Sequence, residues 1–294
     1  MTYKILVPLD GTEIANEIVP YVQYVISRPD AEVTLLHVLP DLIRYDQSHI
    51  ESERKTAIAH MDAFRGQLSF DADRLHCELR MGEAVGEILK FAALQRTSLI
   101  VMPTHGRKGI DRLLSGSVTE HVMRQSNCPL LLSHVSEEKT PGPDDKHRFD
   151  RILVPLDGTE QSFRILPIVE EFARLYQSEV ILFHDNPGIS DLGHKLEGDD
   201  VGHHLEGQRA RLADTGLSVS MEYTDAGKPA EDIIEAVSSS NADLIAMTTH
   251  GRTGVGRLAY GSIVEYVLRH ATRPLLVLCT APGAPTEYEE KYLG

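Results

Sequence analysis

Residues 5–13 read ILVPLDGTE, and residues 152–160 read ILVPLDGTE again. An identical nine-letter stretch, 147 positions on in a chain of 294, makes internal duplication the first reading to test. The remainder of the chain follows the same plan. THGRKGIDRLLSGSVTEHVMRQSNCPLLLSHV from Thr104 pairs with THGRTGVGRLAYGSIVEYVLRHATRPLLVLCT from Thr249. GEAVGEILKFAALQRTSLIVM from Gly82 pairs with GKPAEDIIEAVSSSNADLIAM from Gly227, now 145 positions apart. Order and spacing persist throughout, so one domain is written twice, and each copy is large enough to bury its own core.

Within a copy, strand and helix patterns alternate. Ile5–Val7 is a short apolar run ended by Pro8, the mark of a buried parallel strand. Asp10-Gly-Thr-Glu13 then predicts a helix start, with Ile14, Ile18, Val22 and Val25 recurring on one face. Val33–Val38, Leu75–Leu79, Leu99–Met102 and Leu130–Ser133 predict further strands. Helices are expected over Ser48 to Gln67, around Val85–Ala92, and from Gly116-Ser117. Five strands alternating with about four helices imply a mostly parallel sheet with right-handed crossovers. The expected fold is therefore α/β, two tandem Rossmann-like domains. The Pro- and Gly-containing, charged stretch 137–149 reads as a linker between a domain at 1–136 and one at 150–281, with a tail at 282–294.

The formal net charge of -15 argues against nucleic acid and anionic membranes as partners, because both require a Lys/Arg excess. Cys77, Cys128 and Cys279 form neither a CxxC pair nor an even set, so no disulfide framework is indicated. The apolar run before Asp10 is too short for a signal segment, and a cytoplasmic setting is the expectation.

Against the acidic background, the loop after the fourth strand is locally basic in each copy. Arg107, Lys108 and Arg112 outnumber Asp111, and Arg252 and Arg257 have no acidic neighbour in their loop. Gly106 and Gly109, like Gly251 and Gly254, permit close approach of backbone to a ligand. Gly116-Ser117 and Gly261-Ser262 begin helices whose unpaired N–H groups and dipole favour an anion, with Ser117 and Ser262 as extra donors. In such a sheet, ligands settle where the strand order reverses. If strands one and four are neighbours, their loops share one crevice.

Here the chain resembles the universal stress protein family, in tandem form. That family carries a nucleotide-binding motif of Gly, two residues, Gly, nine residues, Gly, then Ser or Thr. Gly106 with Gly116-Ser117, and Gly251 with Gly261-Ser262, match its later part. Its first glycine is replaced by Pro103 and by Thr248. The resemblance implies ATP or a related adenine nucleotide as ligand, with Mg2+ as companion ion, held for sensing or buffering in a stress response without rapid chemistry. It also implies nucleoside contacts from the aspartate after strand one, matched by Asp10 and Asp157, and from the backbone after strand two, matched by Val38. Asp185 stands at the latter place in the second copy.

Plainer roles compete for the same residues. Asp10 and Asp157 fit a helix-capping box, and His105 and His250 fit loop-organising hydrogen bonds. His184, His194, His203 and His204, with Asp185 and Asp191, crowd a glycine-rich segment and form an alternative metal-binding set, although no tight ligand spacing is present. No Walker A, GxSxG or HExxH motif occurs, which leaves a slow ATPase as the enzymatic alternative. An interaction scaffold with degenerate nucleotide sites is the third class. Its last strands, PLLLSHV and PLLVLCT, are expected to pair the halves as a pseudo-dimer, with a homodimer of chains as a further association.

Overall fold

The computed structural model describes residues 2–12, 18–41, 46–104, 118–134, 149–185, 199–250 and 262–280. The chain divides into two compact units, Met1–His147 and Arg148–Gly294. In the first, β1 (Tyr3–Leu9), β2 (Ala31–Leu39), β3 (Leu75–Met81), β4 (Leu99–Thr104) and β5 (Leu130–His134) pair in the order β3-β2-β1-β4-β5, all parallel. In the second, β6 (Arg151–Pro155), β7 (Glu179–Asp185), β8 (Val219–Thr224), β9 (Leu244–His250) and β10 (Leu275–Thr280) repeat it as β8-β7-β6-β9-β10. These are the two tandem α/β units that the alternating pattern predicts.

The reason is visible in the central strands. Ile5, Leu6 and Val7 are at most 1% exposed, so both faces of β1 are covered, as a parallel sheet with helices on both sides requires. Ile152, Leu153 and Val154 are fully buried in the same way. Register confirms the correspondence. Ile5 sits between Val33 and Leu99, and Ile152 between Val180 and Leu244.

The helices of the first unit are α1 (Val19–Val25), α2 (Gln47–Arg65), α3 (Ala84–Gln95) and α4 (Val118–Gln125). Those of the second are α5 (Glu160–Phe163), α6 (Leu166–Tyr176), α7 (Asp199–Asp214), α8 (Pro229–Ser239) and α9 (Ser262–His270). Local chemistry sets several boundaries. Asp46 caps α2 by accepting from the His49 N–H at 2.8 Å, and Glu83 caps α3 through the N–H groups of Val85 and Gly86.

Of the first helix expected after Asp10, residues 13–17 lie outside the described residues, and α1 runs from Val19. In the second unit the chain turns at Arg164 and Ile165 between α5 and α6. Pro167 explains this break, and Pro20 holds the same place in α1. Proline lacks an N–H and collides with the carbonyl four residues back, so it is accommodated only in the first turn of a helix, where both prolines lie. Among the described residues no helix is long and apolar enough to cross a membrane.

Candidate functional site

In both units the chain steps outward through three strands and then returns to the other side of the first. β1 therefore pairs with β4, and β6 with β9. The carboxyl ends of these pairs form a topological switch point, where the loops diverge and leave a crevice.

In the second unit that crevice is a cavity of about 180 Å³. Leu156 and Asp157 enter it from the loop after β6, Ser162 from α5, and Phe183 and Asp185 from β7. Pro229 and Ile233 of α8, Met247 and Thr248 of β9, and Ile263 and Val264 of α9 complete the wall. The lining is mostly apolar with a few convergent polar groups, the usual composition of a small-molecule site. Ser262 opens α9 beside it and is exposed.

The aspartate after the first strand is held alike in both units. Asp10 Oδ1 accepts from the Thr12 backbone N–H at 2.9 Å and its hydroxyl at 2.7 Å. Asp157 Oδ1 accepts from the corresponding groups of Thr159 at 2.9 and 2.6 Å. Burial pushes the Asp157 carboxyl up, but hydrogen bonds from the Thr159 side chain and backbone and from Ser162 outweigh it. The group is held below its usual value and stays anionic. The capping role falls elsewhere: Thr159, not Asp157, is the N-cap of α5 and accepts from the Ser162 N–H at 3.2 Å. Asp157 thus lines the crevice while bonding the first turn of α5.

The glycine that follows is required by shape. Gly11 has φ +75° and Gly158 φ +84°, in the left-handed region. A Cβ on Gly11 would stand 2.5 Å from His60 Nδ1 on α2, and one on Gly158 would collide with Cγ1 of Val201 on α7.

The strand-two residues differ between units. Val38 is half-buried near the end of β2. Asp185 ends β7, accepts from the Gly227 N–H at 3.2 Å through Oδ1, and leaves Oδ2 buried without a partner. In the first unit the corresponding amide, Gly82 N–H, bonds the Leu39 carbonyl at 2.9 Å instead. The preceding histidines also differ. His184 Nδ1 bonds the Leu156 carbonyl at 2.7 Å, and its ring meets Tyr223 edge-on, whereas His37 Nδ1 is buried without a partner. Burial pushes the His37 pKa down and the nearby His60 adds to this, while Asp10 and Glu53 oppose it.

Pro103 and Thr248 lie in β4 and β9, as the missing motif glycines require. The Pro103 carbonyl accepts from the Thr119 hydroxyl at 3.1 Å, and Thr248 lines the cavity. Gly106, Arg107, Gly109, Gly116, Ser117, Gly251, Arg252, Gly254 and Gly261 lie outside the described residues, as do His105 and His194. His203 and His204 are exposed on α7, and His184 is committed to the β6 loop. Among the described residues no group of three or more His, Cys, Asp or Glu could hold a metal ion. Sequence reasoning missed Ser162, Pro229 and Ile233 as site residues. The signal was present only as their positions in the helices that follow β6 and β8.

The universal stress protein family model matches residues 1–134 and again 148–278. A universal stress protein of Methanocaldococcus jannaschii is 28% identical over 139 residues, 44% of this chain and 80% of its own length. One from Mycobacterium bovis is 25% identical over 188 residues, 61% of either chain. The crystal structure of a universal stress protein from Archaeoglobus fulgidus covers 94% of this chain and 98% of its own, with a TM-score of 0.75 at 22% identity. At that identity the structural likeness speaks to the fold.

Proposed function

The chain belongs to the universal stress protein family, and from that premise we propose that it binds ATP or a related adenine nucleotide as a stress-response sensor or buffer, without rapid chemistry. The observation that carries this reading is the switch-point aspartate. In both units a carboxylate is pinned by the same two Thr hydrogen bonds at the mouth of the crevice. An acceptor there suits ribose hydroxyls, which donate to a carboxylate. The base lies against the apolar wall, and the phosphates reach toward the helix start at Ser262 and its counterpart Ser117. Gly106, Arg107, Gly109 and Gly116 in the first half, and Gly251, Arg252, Gly254 and Gly261 in the second, form the phosphate loops of this reading. Mg2+, where present, rides on the phosphates. The halves pair through their last strands as a pseudo-dimer, which cross-linking followed by mass spectrometry checks.

Calorimetric titration of the full chain with ATP, ADP and AMP tests the proposal. Heat is expected with at least one of them. Asp10→Ala and Asp157→Ala are each expected to weaken their own site about tenfold, the loss of one hydrogen bond to a charged group. Absence of heat with all three nucleotides overturns the reading.

A further inference from the structure

The cavity of the second unit has two ends of opposite polarity. Asp185 closes β7 on one side of β6, while Ile263 and Val264, in the first turn of α9, follow β9 on the other side. Two strand spacings separate β7 from β9, so these ends are on the order of 10 Å apart. At the α9 end lies the positive dipole of a helix start. At the β7 end lies a carboxylate. An anionic group is drawn to the first and repelled by the second, and this sets the direction of any phosphate-bearing ligand: phosphate toward α9, base toward Asp185.

The base then meets a specific demand. An ionised carboxylate only accepts hydrogen bonds. Oδ1 of Asp185 is occupied by the Gly227 N–H, and Oδ2 is buried with nothing to accept from. The terminal torsion of an aspartate is soft, so a small rotation presents the unpartnered oxygen to the cavity that the residue already lines. Phe183, Ile233 and Met247 offer flat or apolar contact that any purine satisfies equally. Asp157 and Ser162 follow β6, between the two ends, and Thr248 lies on β9 at the phosphate end, which leaves the edge of the base to Asp185.

We propose that the second-half crevice selects guanine over adenine. The pairing edge of guanine carries a ring N–H and an amino group side by side, both donors to a carboxylate. Adenine offers one amino group beside a ring nitrogen lone pair, and that lone pair faces the carboxylate acceptor to acceptor. The first half has apolar Val38 at the matching place and carries no such selection. This inference rests on the nucleotide-binding reading and narrows it, reserving adenine for the first half.

The test is titration of the full chain with GTP and with ATP, in the wild type, in Asp185→Val and in Asp185→Asn. The wild type is expected to show one site that prefers GTP by about tenfold, the discrimination typical of a two-donor base contact. Asp185→Val, which copies the first half, is expected to abolish that preference while ATP binding is kept. Asp185→Asn, a near-isostere whose thermal unfolding should match the wild type, is expected to reduce the preference. If neither nucleotide binds the wild type, the nucleotide reading itself fails. If nucleotides bind but the GTP to ATP ratio is the same in the wild type and Asp185→Asn, the base selection is wrong and the nucleotide reading stands.

Discussion

The two crevices share a scaffold and differ in their lining. Strand order, register and the Asp-Gly-Thr turn repeat from one unit to the other, and the hydrogen bonds on Asp10 and Asp157 agree within about 0.1 Å. The lining does not repeat. His60 stands over Gly11 where Val201 stands over Gly158, and Val38 holds the strand position that Asp185 holds in the second unit. The Gly82 amide bonds a backbone carbonyl, whereas the Gly227 amide bonds a side chain. The difference teaches that the sheet tolerates little change because each central residue is covered on both faces. The rim tolerates more, because loop positions at the surface are less constrained by packing.

The turn glycines offer the strongest way to break this comparison. Gly158→Ala combines left-handed strain with a collision against the stiff, branched Val201, and is expected to cost about 3 kcal/mol. Gly11→Ala meets an exposed imidazole that can swing aside, and is expected to cost about 1 kcal/mol, mainly from strain. Urea unfolding of both variants measures the gap. Equal costs would mean that the two turns are covered alike after all.

Acid sharpens the comparison at the paired histidines. Burial holds the His37 pKa below the ordinary imidazole value of 6.5, so the unfolded chain binds the extra proton first. Stability from this group is complete above 6.5 and is lost as pH falls through the lower folded value. The urea midpoint is therefore expected to drop as pH falls below 6.5, and His37→Leu to lessen the drop. An unchanged slope in His37→Leu would exclude this histidine as its source.

The smallest effect concerns the thiols. Cys77 is exposed on β3 in the first unit, while burial pushes the Cys279 thiol of β10 up to about 11. Brief treatment of the native chain with iodoacetamide is expected to label Cys77 and to leave Cys279 for the denatured chain, because the thiolate is the reactive species. Mass spectrometry of tryptic peptides reads the difference directly.

Much of the architecture was legible before any coordinates. Apolar runs such as Ile5–Val7, ended by Pro8, and helical faces such as Val85 to Ala92 are local patterns, and duplication doubled every signal. The break between α5 and α6 was legible as well, in Pro167, yet the apolar period of the matching stretch of the first copy, through Ile14, Ile18 and Val22, suggested continuity. Period reports which face is buried and says nothing of a missing N–H. At the site, Asp10 and Asp157 stood out by repetition, but their bonding to Thr12 and Thr159 did not. A capping box and a crevice turn share the same residue spacing and differ only in backbone direction.

The sequence by itself determined that two copies of one α/β unit exist, where most of their strands fall, and which loops carry glycine and basic residues. These follow from periodicity and repetition, which are properties of neighbours along the chain. The tertiary structure alone decided that β1 adjoins β4 and β6 adjoins β9, that Pro229 and Ile233 wall the cavity reached by Asp157, and that one Asp185 oxygen is left without a partner. Such facts depend on residues tens of positions apart meeting in space, and the packing that brings them together is cooperative, so no local window contains it.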